Sequence, residues 1–160
     1  MANFYIRISE TINLESGRER YNTEVNIPGV NQISKRRDTI STTGIGPGIE
    51  IISFSEDEST QTAGSFVKTD VKYLRITNID KTNSVEIYVI PSIDDNIVHV
   101  LTPGQSLLLP SAILRTDDFD DYVDDSFTDG SFFTNFTHIT SIKAKAIGNP
   151  CSIEYLIASS

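Results

Sequence analysis

Between Val71 and Pro110, apolar and polar residues alternate in short runs separated by turn formers, a pattern that leaves room for little except antiparallel β-structure. In Lys72-Tyr-Leu-Arg-Ile-Thr-Asn78, one face carries Lys72, Leu74, Ile76 and Asn78, and the other carries Tyr73, Arg75 and Thr77. Val85, Ile87 and Val89 alternate with Glu86 and Tyr88 in the next run. A period of two with one apolar face describes a strand packed on one side. Asn78 to Ser84 is rich in residues that accept turn dihedrals, so the two runs are expected to form a core hairpin. Pro103-Gly104 suits the centre of a type II turn, where glycine takes the positive φ. The turn leads into Ser106-Leu-Leu-Leu109, which Pro110 stops.

The rest of the chain extends this pattern. Phe4, Ile6 and Ile8 alternate with Tyr5, Arg7 and Ser9, as in a strand. Residues 15–43 are polar and contain Pro28-Gly29 and the basic run Lys35-Arg36-Arg37, so they are expected to form an extended arm or long loop with one short strand near 23–27. Gly44-Ile-Gly-Pro-Gly48 breaks the chain before a strand over 49–54, and 56–65 is a polar, acidic loop. Strands over 142–146 and 152–158 close the sequence around Gly148-Asn149-Pro150, and one or two helical turns fit near 111–119. About eight strands and no internal repeat predict an all-β fold, an antiparallel β-sandwich or jelly-roll-like domain spanning 1–160.

Composition narrows the function classes. A length of 160 residues suits one domain, and a hydrophobic fraction of 38% suits thin cores and much polar surface. The formal net charge of -9 repels phosphate backbones and anionic lipid, so neither nucleic acid nor membrane is an expected partner. No apolar run is long enough to span a bilayer, and the first ten residues lack a secretory signal pattern. The single cysteine, Cys151, excludes an internal disulfide framework and fits synthesis in a reducing cytoplasm.

Asp117, Asp118, Asp120, Asp121, Asp124, Asp125 and Asp129 form an acidic segment that could hold calcium. The EF-hand spacing fails, because aligning Gly130 with the loop glycine places Phe127 and Phe136 at ligand positions. A solvated loop, or an acidic surface meeting a basic partner, is the simpler reading. Paired acids could serve a glycosidase, but no tryptophan offers a sugar platform; Phe119, Tyr122 and Phe127 sit among the acids instead. His99 and His138 lack any zinc-site spacing, and no G-x-S-x-G elbow accompanies Cys151, which reads as a small buried hydrophobe. The glycines at 44–48 lack the Gly-Lys-Ser/Thr of a phosphate loop. Neither a cofactor nor a resident metal is expected. The basic set Arg18, Arg20, Lys35, Arg36 and Arg37 locally reverses the charge, either as a plain solvated loop or as an arm that reaches acidic surface on a neighbouring copy.

The segment Tyr73-Leu-Arg-Ile-Thr-Asn-Ile-Asp-Lys-Thr-Asn-Ser-Val-Glu-Ile87, followed by Leu101-Thr-Pro-Gly-Gln-Ser-Leu-Leu-Leu-Pro110, resembles a pattern in small virion proteins of tailed bacteriophages. There a strand ending in an Asn-x-Asp-x-Thr-Asn turn precedes a second strand and a Pro/Ala-Gly-Glu/Gln turn. The resemblance covers about a quarter of the chain and carries over no functional residues. It implies a non-enzymatic β-sandwich that assembles in copies in the virion, as a capsid decoration (cement) protein bound to the major capsid protein or another virion protein. A tail, neck or fibre-associated role is the alternative within that class. A carbohydrate-binding module with Tyr122 in its site is the alternative of another class.

Overall fold

The computed structural model describes residues 3–15, 17–42, 46–92, 96–110, 114–115, 132–133 and 139–160. Among these residues there are thirteen strands and no helix. In chain order they are β1 (Asn3–Leu14), β2 (Gly17–Pro28), β3 (Gln32–Ile40), β4 (Ile49–Ser55), β5 (Ser65–Val67), β6 (Val71–Asn78) and β7 (Ser84–Pro91). There follow β8 (Ile97–Leu101), β9 (Ser106–Pro110), β10 (Leu114–Arg115), β11 (Phe132–Phe133), β12 (Ile139–Ile147) and β13 (Cys151–Ser159). A five-stranded sheet in the order β5-β4-β12-β7-β8 packs on a four-stranded sheet in the order β3-β13-β6-β9. The pairings within both sheets are antiparallel except β4 with β5. β1 pairs with β2 as a separate two-stranded ribbon, and β10 with β11 as a short pair. The fold is an all-β sandwich, as the alternation in the sequence predicts.

The inward residues are those that alternation selects. Ile76 and Leu74 on β6, Val85, Ile87 and Val89 on β7, Ile142 and Ala144 on β12, and Ile153 and Ile157 on β13 form one buried cluster between the sheets. Each fully buried Val, Leu or Ile stabilises the fold by about 1.5–3 kcal/mol. One expected inward residue is displaced. The pairing of β6 with β13 shifts register so that Ala158 faces Tyr73 while Ser159 faces Val71. This bulge at Lys72 turns Val71 into the core in its place, which spares a lysine from burial.

Two further expectations are corrected. The runs 72–78 and 85–89 do not pair with each other: β6 lies between β13 and β9, and β7 between β12 and β8. The connection at 78–84 is therefore an arch from one sheet to the other rather than a hairpin turn. Links β8–β9 and β12–β13 cross in the same way. The Pro103-Gly104 turn does form as expected, with φ +81° at Gly104 and the Gln105 amide donating to the Thr102 carbonyl over 3.0 Å.

The segment 15–43, expected as an extended arm or long loop, consists mainly of two strands. Residues 17–28 pair one for one with residues 14–3 in the ribbon, and β3 pairs along its length with β13. Exposure hid β3, an edge strand with no sustained hydrophobic alternation, and the ribbon strand β2 is wet on much of both faces. The alternation Tyr21, Thr23, Val25, Ile27 against Arg20, Asn22, Glu24, Asn26 was a readable signal for β2.

Two glycines separate conformational from steric demand. Gly48 (φ +85°) precedes β4, and a Cβ there would run into the Ala144 carbonyl and the Lys145 side chain on β12. Gly104 has a similar φ but nothing within 4 Å of such an atom. Gly104→Ala is expected to cost about 1 kcal/mol in urea unfolding through backbone strain alone. Gly48→Ala adds the collision and should cost about 2–4 kcal/mol. Equal losses would mean that β4 does not approach β12 this closely.

Candidate functional site

The most unusual surface is the β1–β2 ribbon. Along one face the register places Phe4 opposite Ile27, Ile6 opposite Val25, Ile8 opposite Thr23, Glu10 opposite Tyr21, and Ile12 opposite Glu19. The other face pairs Tyr5 with Asn26, Arg7 with Glu24, Ser9 with Asn22, Thr11 with Arg20, and Asn13 with Arg18. The first face is apolar with two acids, and the second is polar with a basic excess. Only the root of the apolar face is covered by the body. Phe4, Ile6 and Ile27 pack with Val30 against Tyr73, Leu156 and Ala158 on the outer face of the four-stranded sheet. The Phe4 and Tyr73 rings are 5.4 Å apart and tilted. Beyond the root the stripe continues in the open, with Ile12 45%, Val25 44% and Tyr21 52% exposed. An isolated two-stranded ribbon is marginal in water unless its apolar face is covered.

The outer face of the four-stranded sheet continues from this root into a charged cluster. Glu154 on β13 is nearly buried, and its carboxylate is surrounded by three cations. Arg37 Nε donates to Oε2 over 2.8 Å, Lys35 Nζ lies 3.1 Å from Oε1, and Arg75 Nη2 lies 3.6 Å from Oε1. The Arg37 hydrogen bond, aided by Lys35, holds the Glu154 carboxyl below the usual glutamate range against the opposing effect of burial. Arg36, pointing to the opposite side of β3, shares the Tyr155 hydroxyl with Asp38. The basic run is therefore already engaged with its own sheet. Charges along β3 also blunt an edge that would otherwise pair indiscriminately.

The expected basic set does not form one patch. Lys35 and Arg37 converge on Glu154, whereas Arg18 and Arg20 lie on the polar face of the ribbon, eight to ten residues from its root at Pro28. At about 3.3 Å per residue that is on the order of 30 Å along the ribbon. Asp117, Asp118, Asp120, Asp121, Asp124 and Asp125 lie outside the described residues, as do Asp129, Phe119, Tyr122, Phe127, His138, Gly44 and Ile45. The two strands of the ribbon each alternate in the sequence, but their apolar residues form one continuous face only once β1 and β2 are in register.

A second cluster sits in the arch between β6 and β7. Asn78 is fully buried; its amide nitrogen donates to the Asn83 and Leu101 carbonyls at 2.9 Å each, and its oxygen accepts from the Asp80 amide and the Cys151 thiol. Asp80 Oδ1 accepts the amides of Thr82 and Asn83 at 2.9 Å. These backbone bonds lower its carboxyl to about 2. Burial, with the nearby Asp80 charge, pushes the Cys151 thiol up to about 11. A thiol so far from ionisation is a poor nucleophile at neutral pH, and its place is in the core. His99 lies half-buried on β8 opposite Ile87. Among the described residues no three His, Cys, Asp or Glu side chains come together as a metal site.

Compared with known proteins, the chain matches no family, no curated protein and no solved structure.

The Asp80 and Glu154 carboxyls both titrate below their ordinary range when folded. Their contribution to stability is complete above the pKa of the unfolded acid and is lost as pH falls through the folded value. For Asp80 that window runs from about pH 4 to about pH 2. Asp80→Asn should therefore flatten the acid limb of a urea-midpoint profile between those values while leaving the fold intact at pH 7; an unchanged profile would remove Asp80 as its source. Glu154→Gln, which keeps the shape and removes the charge, should lower stability at pH 7 by about 1–2 kcal/mol, because hydrogen bonds to charged groups are the stronger kind. The loss should shrink as pH drops below 4.

Proposed function

We propose that the chain is a non-enzymatic structural protein of a tailed-bacteriophage virion, a capsid decoration (cement) protein that binds the head shell and its own neighbours. The observation that best supports this reading is a compact two-sheet body joined to a ribbon whose apolar face the body leaves largely open. A body of this kind supplies rigidity and the ribbon supplies contact area. On a particle the arrangement gains from repetition, because many modest contacts sum to firm attachment. The resemblance of 73–87 and 101–110 to small phage virion proteins supports the same reading. Those residues form most of β6, the arch, the start of β7, the end of β8, and β9 with the turn before it, so most of them build the scaffold.

Mass spectrometry of gradient-purified particles from a lysate of the phage that encodes the chain would test the reading. The expected result is the chain in many copies per particle, at regular positions on the head in averaged images. Regular positions on the tail or neck would move the role within the virion. Absence from purified particles would overturn the virion reading.

The contact surface itself is testable by substitution. Because β3 belongs to the sheet, removing everything before residue 44 would damage the body, so surface variants are the better probe. Ile8→Ser with Ile12→Ser should leave the unfolding midpoint of the purified chain within about 0.5 kcal/mol of wild type, as expected of exposed positions. The same variant should bind at least about tenfold more weakly to particles stripped of the native chain. Undiminished binding would exclude the ribbon as the contact.

A further inference from the structure

We propose that the apolar face of the β1–β2 ribbon docks on the outer face of the four-stranded sheet of a second copy of this chain. The inference deepens the assembly reading by naming the surfaces that join copies, and it rests on that reading only in requiring self-association.

Charge identifies the occupant. On the ribbon's apolar face the ionised side chains are Glu10 and Glu19, a charge of -2. On the outer face of the four-stranded sheet, Lys35, Arg37 and Arg75 surround Glu154; three cations less one anion leave +2. The whole chain carries -9, so copies repel one another on average, and this basic cluster is a place where an acidic face of another copy is welcome. The sheet face also offers apolar surface beside the cluster: Ile33 on β3 is 54% exposed and Leu108 on β9 is 40% exposed. Register places Lys35, Leu156, Arg75 and Leu108 in one row across the four strands. The ribbon root of the same chain covers Leu156 within this row and the neighbouring Tyr73 and Ala158, and leaves Lys35 and Leu108 at the ends of the row exposed.

The alternative of two ribbons meeting face to face is worse. It would gather Glu10 and Glu19 from both copies on surfaces that carry no cation of their own. Ribbon on sheet instead pairs each acidic stripe with a basic cluster. Because the two surfaces differ, each copy gives a ribbon and receives one, so the contact closes into a ring or a reciprocal exchange, or it propagates.

Disulfide trapping with the full chain, combined with light scattering, tests the geometry. One tagged copy carries Ile12→Cys and a differently tagged copy carries Leu108→Cys or Ile33→Cys; native Cys151 is buried and does not compete. The expected result is an oligomer of the wild-type chain and a mixed disulfide between the two tags on mild oxidation. Val25→Ser with Tyr21→Ser, and separately Glu10→Lys with Glu19→Lys, should each weaken association at least about tenfold while circular dichroism and the unfolding midpoint stay near wild type. A wild-type chain that remains monomeric at high concentration, disulfides only between ribbon cysteines, or an oligomer indifferent to both ribbon variants would each overturn the proposal. These results are independent of particle composition: self-association through the ribbon can hold in a chain absent from virions, and a virion protein can fail it.

Discussion

The buried amide of Asn78 ties together the two sheets. Its side chain bonds to the carbonyl of Asn83 at the entrance to β7 and to that of Leu101 at the end of β8, and it receives the Cys151 thiol from the start of β13. Its backbone meets the turn before β9, donating to Gln105 and accepting from Gly104. One residue thus joins the end of a strand in one sheet to three strands and a turn distributed over both. An amide with no partner here would cost about 1–3 kcal/mol per orphaned group, so its complete satisfaction makes the arch specific rather than merely tolerated. Asp80, one turn further on, organises the amides of Thr82 and Asn83 and shapes the loop around that anchor.

With the arches fixed, the sandwich interior is closed and the remaining question is how its surfaces are used. The edges are treated differently. β3 is guarded by Lys35, Arg36 and Arg37, two of them committed to Glu154. The ribbon is not guarded: it leaves the body with a continuous apolar face and two acids along it. In the proposed assembly the ribbon is the contact element and the sandwich is its mount.

Much of the fold was legible because core strands of a sandwich obey a period of two. Val85, Ile87 and Val89, or Leu74 and Ile76, announce their inward faces without further help. The candidate site was less legible. Lys35 and Arg37 were visible as charges, but Glu154, 117 residues from Arg37, gives no local sign that it is their partner. The ribbon's apolar face was only half visible, in Phe4, Ile6 and Ile8, because Tyr21 and Val25 join it through pairing and not through sequence proximity. Lys72 misled because a bulge overrides strict alternation where a charge would otherwise be buried.

By itself the sequence determined local matters: strand periodicity, the positive-φ turn at Gly104, the turn chemistry of 78–84, and the net acidic balance. These follow from dihedral preferences and hydropathy, which act over a few residues. Only the tertiary structure decided whether neighbouring strands pair or arch into opposite sheets, which cations meet Glu154, and how far the ribbon outreaches its cover. Those outcomes depend on long-range packing and on burial against distant partners, quantities that no window of sequence contains.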